Sequence, residues 1–485
     1  MLLSTLADRV PGPASVIGDD VSIDDVTHDS RAVKIGDLFV AVRGLVTDGH
    51  DFVDAAVAAG AAAVAVDRAG EATYSQLVVQ DTRASLGPLA AAVHGEPSQR
   101  VAVVGVTGTN GKTTVTHLIE SIVAAGGGTP GVIGTVGGRI AGDHVVLSRT
   151  TPEASDLQRL LARMVEANVD VVAVEVSSHA LALHRVDGVW FRVAAFTNLM
   201  QDHLDFHGDM DSYLAAKRRL FDVARAERAV VGVDDEAGRS IAAAAQIPVT
   251  TVALDQAADI TATDLEVTLG GSTFTVITPE GSFRAAMPLP GRFNVRNALL
   301  AAAIARELRC TNETIAAGLV AVGAIPGRFE PVDEGQPFGV VVDYAHTPDA
   351  IGAMIESAHR LTEGRVIAVV GAGGDRDKAK RAAMGRAAAG ADVVVLTSDN
   401  PRSEDPLVII TEVAAGLASG TEAFTEPDRR LAIRSAVGRA EKGDLVLILG
   451  KGHETGQEVE GTVHPFDDRV VAAEELRAAM GEVTA

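Results

Sequence analysis

The chain of 485 residues reads as an α/β protein of three domains with parallel-rich sheets, on three observations. Short apolar runs ending in polar or glycine-rich loops alternate with amphipathic stretches, the order that builds parallel sheets with helices on both faces. At roughly 150 residues per domain, the length accommodates about three domains. The texture changes near Arg100 and again at Pro326-Gly327, a pair that continues neither helix nor strand well. The expected domains are 1–100, 101–327 and 328–485.

In the first region, the runs 37–42 and 62–66 read as strands flanking a Gly- and Asp-rich loop at 43–51. The second opens with a strand at 101–106, a glycine loop and an amphipathic stretch at 113–125. A helical segment at 154–167 precedes a buried-type strand at 170–176. Thr- and Val-rich alternation over 260–287, with turns at Gly270-Gly271 and Glu280-Gly281, predicts hairpins attached to the same domain. The last region supplies strands at 366–370, 392–398 and 444–450. In open α/β sheets ligands bind beyond the carboxyl ends of the strands, so the loops there are where chemistry is sought.

Composition narrows the classes. Apolar residues at 47% and charged residues at 22% suit a globular protein. A net charge of -23 argues against a general nucleic-acid binder and against an anionic membrane surface. One cysteine, Cys310, excludes an internal disulfide framework and a cysteine-clustered zinc site. Asp8 and Arg9 interrupt the N-terminus before any signal-peptide core, and the apolar stretch 55–66 is too short to span a bilayer. A cytoplasmic monomer without membrane insertion is the expectation. Of the 42 basic residues only seven are lysine, at 34, 112, 217, 378, 380, 442 and 451.

The loop Gly105-Val-Thr-Gly108-Thr109-Asn110-Gly111-Lys112-Thr113-Thr114 lies between strand and helix. Such a loop aims backbone N–H groups and the positive end of the helix dipole at one spot. Lys112 adds a full charge for phosphate oxygens, and the hydroxyl of Thr113 or Thr114 is a Mg2+ ligand candidate. The strict P-loop spacing fails by one residue, because Val106 stands where the first glycine belongs. ATP binding is nonetheless the reading. Glu175, followed by Val-Ser177-Ser-His, puts a carboxylate at a strand's carboxyl end, where Mg2+ takes one or two carboxylates beside phosphates. Phe196-Thr-Asn and Asp202-His203-Leu-Asp205-Phe-His207 complete a polar site.

Other segments are less decisive by themselves. Lys217, on an amphipathic helix at 211–221, reads alone as solvent-exposed. Asn297 reads as a helix cap, His28 to Arg31 as a structural turn, and Thr150-Thr151-Pro152-Glu153 as a helix start capped by threonine. Asp343-Tyr-Ala-His346 follows a strand. Asp399-Asn400-Pro401-Arg402 lies past the strand at 392–398, where arginine would hold a carboxylate bidentately or form a surface salt bridge. Gly371-Ala-Gly373-Gly-Asp-Arg376 imitates a dinucleotide fingerprint, but Arg376 occupies the third glycine's place, so NAD is discarded. No Asn-Lys-x-Asp guanine motif supports a nucleotide switch.

Taken together, the Thr-Gly-Thr-Asn-Gly-Lys-Thr-Thr loop and these motifs resemble the Mur ligase family of ATP-dependent amide-bond-forming enzymes, MurE type, from about His28 to Asp468. The resemblance implies a UDP-binding N-terminal domain, a central P-loop-type ATPase domain and a Rossmann-like C-terminal domain for the incoming amino acid. It implies ATP contacts at Gly108 to Thr114, Asn297, Asp343 and His346, and a catalytic set of Lys112, Glu175, His203 and Lys217. Thr114, Glu175, His203 and a CO2-carbamylated Lys217 would hold Mg2+, in a site with two such ions. His28, Ser30, Thr150, Thr151, Ser177 and Arg185 would contact UDP-MurNAc-L-Ala-D-Glu. Leu183 departs from the pattern, since some relatives carry glutamine there. Arg376, Asp399 to Arg402, Gly450 and Glu454 match the contacts of meso-diaminopimelate. A lysine-adding relative is disfavoured by Arg402, whose burial without the second carboxylate would be costly. A folylpolyglutamate synthetase is disfavoured by the segment around Ser30.

Overall fold

The computed structural model describes residues 1–44, 47–70 and 73–483. Leu45 and Val46, in the loop expected at 43–51, lie outside the described residues. Two compact units emerge: residues 1–198, 214–261 and 298–318 form one, and 199–213, 262–297 and 319–485 the other. The α/β class is as the sequence predicts.

The first unit holds two sheets. Across the smaller the order is Ala14–Ile17, Ser75–Val79, Ala63–Val66, Leu38–Val40 and Val26–Thr27, with only the first pairing antiparallel. The larger runs Val249–Val252, Ala226–Gly232, Phe191–Phe196, Ala102–Thr107, Val171–Glu175, Pro130–Gly134, Gly137–Ile140 and Asp143–Val145. Its first six strands are parallel and its last two form an antiparallel edge. Val103, Val104, Val172 and Val174 are fully buried, which is why these strands read as near-continuous apolar runs. Register sets Glu175 beside Val106, so the two strand ends lie side by side.

The second unit carries a six-stranded sheet ordered Glu330–Pro331, Gly339–Asp343, Leu445–Leu449, Val366–Ala372, Val393–Ser398 and Glu422–Thr425. All pairings but the first are parallel. Apolar clusters cover both faces, one around Ile351, Met384 and Leu447, the other around Ile433, Val446 and Leu476. The Thr- and Val-rich stretch does form three strands, Thr261–Thr268, Gly271–Thr278 and Gly281–Met287. Nearly all of that sheet clusters with the second unit, which also contains Pro326 and Gly327. Among the described residues no helix is long and apolar enough to cross a membrane.

Two sequence expectations are corrected here. The helix expected to start under a threonine cap begins at Ala154 after Glu153, with no side-chain cap; Thr151 Oγ1 instead accepts from the Ser177 N–H at 3.1 Å and donates to the Glu175 carbonyl at 2.7 Å. Asn297 is no cap either. It sits inside the helix Arg292–Glu307, where Nδ2 donates to Oδ1 of Asn294 at 3.3 Å.

Within the first unit, helix Thr82–Val93 approaches the chain at Asp187 so closely that a Cβ on Gly87 would lie 1.9 Å from the Asp187 carbonyl oxygen. Glycine to alanine in a helix ordinarily gains about 0.5–1 kcal/mol. Here overpacking against backbone dominates, and Gly87→Ala is expected to destabilise by about 1–3 kcal/mol. In helix Arg429–Arg439 a Cβ on Gly438 meets nothing within 4 Å, so Gly438→Ala is expected to stabilise. Urea-unfolding midpoints of the two variants, moving in opposite directions from the parent, check both signs.

Candidate active site

The glycine loop is held by the neighbouring parallel strand. Strand Phe191–Phe196 runs into Thr197 and Asn198, and the Thr197 hydroxyl donates to the Asn110 carbonyl at 2.6 Å. Asn198 brackets the same residue: its Oδ1 accepts from the Asn110 N–H at 3.0 Å and its Nδ2 donates to the Asn110 carbonyl at 3.1 Å. Gly108 has φ +144, and a Cβ there would lie 1.8 Å from Thr197 Oγ1, so only glycine fits. Gly111, at φ +90, precedes helix Lys112–Ala125, whose first turn carries the buried Thr113 and Thr114. The strand-to-helix context expected for this loop is present.

Two lysines converge on one carbonyl. Lys112 Nζ donates to the carbonyls of Gly108 at 2.9 Å and Thr109 at 2.8 Å. Lys217 Nζ donates to that of Gly108 at 2.8 Å. Lys217 lies on helix Met210–Arg218 and is 1% exposed, which overturns the surface reading its helix gives in isolation. Glu175 is also 1% exposed. Its Oε1 accepts from the Thr135 N–H at 2.8 Å and its Oε2 from the Thr135 hydroxyl at 2.9 Å. Thr135 went unnoticed in the sequence, where nothing marks it apart from any other turn threonine. Thr113 and Thr114 carry hydroxyls and Glu175 a carboxylate, oxygen donors of the kind Mg2+ takes beside phosphates. Among the described residues no group of three or more His, Cys, Asp and Glu side chains could hold a metal by itself.

The remaining first-unit candidates are linked to this edge. Thr150 Oγ1 is 3.1 Å from Thr135 Oγ1, and the Ser177 N–H donates to Thr151 Oγ1 at 3.1 Å. His28 Nδ1 meets Ser155 Oγ at 3.0 Å, joining the smaller sheet's region to the helix after Thr151. Ser30 sits half-buried on a turn two residues beyond. Arg185 is buried and ion-paired with Glu153 at 3.0 Å; burial pushes its guanidinium below the usual arginine range. Glu153 also pairs with Arg83 at 3.2 Å and Arg149 at 3.6 Å. Arg83 donates to the Leu183 carbonyl at 3.3 Å, so the position of the departure from the family pattern is held through its backbone.

In the second unit the candidates sit beyond the carboxyl ends of adjacent parallel strands. Asp343 is buried, accepting from the N–H groups of Phe329 at 2.7 Å and Ala345 at 2.8 Å, and burial raises its carboxyl. His346 Nδ1 meets the Tyr344 carbonyl at 2.8 Å, while burial and then Lys380 push its imidazole down. Asp202 Oδ2 lies 3.9 Å from His346 Nε2 and 3.4 Å from His203 Nε2. Burial raises the Asp202 carboxyl, but the nearby His203, His346 and Lys380 outweigh it and hold the group low. His203, at φ 54, is 43% exposed, so its ring is half in solvent.

Asn400 is a hub. Its Nδ2 donates to Glu454 at 2.8 Å, while its Oδ1 accepts from Lys451 Nζ at 3.0 Å and from the Glu458 N–H at 3.0 Å. A Cβ on Gly450 (φ +117) would lie 2.5 Å from Asp399 Oδ2. Pro401 precedes Arg402, which has φ 52. Expected to hold a carboxylate of the amino acid, Arg402 is 23% exposed, pairs with Glu458 at 3.1 Å and donates to the Gly374 carbonyl at 2.6 Å. Arg376 is exposed, and a Cβ on Gly373 would fall 3.9 Å from its Cγ and 3.1 Å from Arg402 Nη1.

His453 follows in the same loop, its ring 5.0 Å from that of Tyr344. Burial, then Arg328 and Arg469, pushes its imidazole from 6.5 to about 4. The unfolded chain takes up that proton near 6.5 and the folded one only near 4, so the stabilisation is present above about 6.5 and lost as pH falls towards about 4. Unfolding midpoints measured down that interval should fall less steeply for His453→Gln than for the parent.

Comparison with known proteins accords with this geometry. Three family patterns match in succession: the Mur ligase family catalytic domain over 22–95, the Mur ligase middle domain over 106–305 and the Mur ligase glutamate ligase domain over 327–452. The UDP-N-acetylmuramoyl-L-alanyl-D-glutamate--2,6-diaminopimelate ligase of Streptomyces coelicolor is 47% identical, over 99% of this chain and 97% of its own. A solved structure of a ligase with that name superposes with TM-score 0.68 at 34% identity, covering 96% of this chain and 98% of the other. The Thermotoga maritima MurF ligase, solved in complex with ADP, shares the fold at 20% identity and TM-score 0.64, over 94% of this chain and 97% of its own. The chain belongs to the Mur ligase family and, within it, to the MurE type.

Proposed function

We propose that this chain is an ATP-dependent ligase that joins meso-diaminopimelate to the D-glutamyl residue of UDP-MurNAc-L-Ala-D-Glu. The observation that carries the reading is the pinned glycine loop, with two ammonium groups on the Gly108 carbonyl and the carboxylate of Glu175 at the adjacent strand end. The Lys112 ammonium and the N-terminus of helix Lys112–Ala125 favour an anion at this loop, and nucleotide phosphate is the anion such a loop takes. The names of the relatives supply the substrates, and the ADP complex of the T. maritima MurF ligase supports ATP as the nucleotide.

The division of labour follows the domains at 1–100, 101–327 and 328–485. Residues of the first, with His28 and Ser30, hold the uridine end; Thr150, Thr151, Ser177 and Arg185 hold the peptide end. The loop from Gly108 to Thr114 holds the phosphates, while Asn297, Asp343 and His346 contact the nucleotide. Thr114 and Glu175, with His203 at the polar segment, would hold Mg2+, which neutralises phosphate charge when bound. The γ-carboxylate of D-glutamate attacks the ATP γ-phosphorus to give an acyl phosphate and ADP, and Lys112 stabilises the charge on the transferring oxygens. The amine at the L-centre of diaminopimelate then attacks the acyl carbon. Phosphate leaves, and the ammonium loses its proton as the amide forms. Arg402, Asp399, Asn400, Gly450, Glu454 and Arg376 hold the rest of the amino acid. The reaction runs in the cytoplasm, on a monomer.

Carbamylation of Lys217 belongs to this proposal. Its amine is buried against the Gly108 carbonyl that Lys112 also contacts, and conversion to a carbamate replaces a second cation there with an anionic oxygen ligand. Intact mass in bicarbonate buffer should exceed the sequence mass by one CO2, an increment absent from Lys217→Ala. That variant should lose on the order of a hundredfold or more in turnover while still binding ATP.

The deciding experiment measures phosphate release with ATP, Mg2+ and UDP-MurNAc-L-Ala-D-Glu, comparing meso-diaminopimelate with L-lysine. Release and a UDP-tripeptide product with diaminopimelate alone are expected. Turnover with lysine would remove the specificity argument but keep the ligase. No turnover with either, in protein that binds ATP, would overturn the proposal.

A further inference from the structure

The two bulkiest fully buried side chains in the described structure are Arg381 and Arg429, neither singled out by any motif. Both lie in the second unit, beneath the loops assigned above to the incoming amino acid. Arg429 donates from Nε and Nη2 to Asp468 at 2.7 and 2.6 Å. Its other contacts reach two different strands: Nη1 to the Ser398 carbonyl at 3.3 Å and Nη2 to the Leu449 carbonyl at 3.0 Å. Ser398 immediately precedes Asp399, and Leu449 immediately precedes Gly450. One guanidinium therefore spans the strand ends from which both loops depart, at the point where Gly450 admits no side chain beside Asp399.

Arg381 does the same for the third loop. Its Nη2 donates to the Gly373 carbonyl at 3.1 Å, and both terminal nitrogens grip Glu404 at 3.0 and 2.8 Å. Glu404 in turn accepts from the Asp375 N–H at 2.6 Å, so the loop carrying Arg376 is tied to the segment just after Arg402.

An ion pair is a poor choice for stability alone, because an apolar pair of similar volume in a buried site is often as stable or more so. What an apolar pair lacks is the planar fork that reaches carbonyls on separate strands in fixed directions. Recognition of a small amino acid depends on such spacing, since supporting groups must hold contact residues to within about 0.5 Å.

We propose that Arg381 and Arg429 are positioning residues for the incoming amino acid, setting the spacing of the 373–376, 399–402 and 450–454 loops and with it the selection of diaminopimelate over lysine. This rests on the ligase reading above. The test is a set of steady-state kinetic constants for Arg381→Lys, which keeps the charge but not the fork, and for the double variant Arg429→Met with Asp468→Leu, which replaces the pair by apolar groups. With thermal midpoints close to the parent's, KM for diaminopimelate should rise about tenfold or more, KM for ATP and for the UDP-linked substrate should stay within about twofold, and preference for diaminopimelate over lysine should fall. A fall in kcat with KM for diaminopimelate unchanged would mark a merely structural role and overturn the inference. Should the double variant fail to fold, Arg381→Lys decides by the same readout. If the parent itself does not turn over diaminopimelate, the ligase reading fails and the inference falls with it, an outcome distinct from a working parent with indifferent variants.

Discussion

The nucleotide edge depends on the absence of one carbon atom. At Gly108 the Thr197 side chain takes the volume a Cβ would need, and from there Thr197 and Asn198 fix both the N–H and the carbonyl of Asn110. That contact is possible because Phe196 pairs in register with Thr107, which sets the two strand ends level. With the backbone so fixed, the Gly108 carbonyl faces Lys112 and Lys217 together, and helix Lys112–Ala125 begins where its dipole adds to their charge. Lateral sheet pairing and the glycine at 108 together give the loop its shape.

The second unit solves a similar problem with side chains in place of a missing one. Its loops leave four adjacent parallel strands at the same edge, where backbone pairing ends and cannot hold them. Polar groups from the loops themselves take over, with Asn400 satisfied on three sides and Glu454 bound to both Asn400 and Lys451. Beneath them the buried arginines bind carbonyls at or just beyond the strand ends. The pairing of Arg429 with the Asp468 carboxylate and two carbonyls is what lets its charge sit in a low-dielectric interior without a large penalty.

Lysine placement ties the two units to one chemical economy. In a chain that uses arginine almost everywhere, Lys217 and Lys451 are buried at loop junctions and Lys112 stands on the phosphate loop, while Lys378 is an exposed partner of Glu404. A point charge on a flexible stem suits a site where the anion moves or reacts, whereas arginine's fixed fork suits a permanent joint such as Arg429 with Asp468.

The sequence by itself determined the α/β class, the order of strands and helices, and the nucleotide loop, because apolar periodicity and glycine placement are local properties written into adjacent residues. It placed Glu175 and the Asp399–Arg402 segment at strand ends for the same reason. Burial and partnership are not local, and there only tertiary structure decided. Nothing near Lys217 in the chain says that its helix packs against Gly108, and nothing near Arg402 says that Glu458 and Gly374 will take its guanidinium. Thr151 could have capped a helix, but the Ser177 N–H, 26 residues away, takes its hydroxyl oxygen as acceptor instead. Arg381 and Arg429 look like ordinary helix arginines in sequence. Their roles arise because the sheet brings Ser398 and Leu449, 51 residues apart, within reach of a single guanidinium.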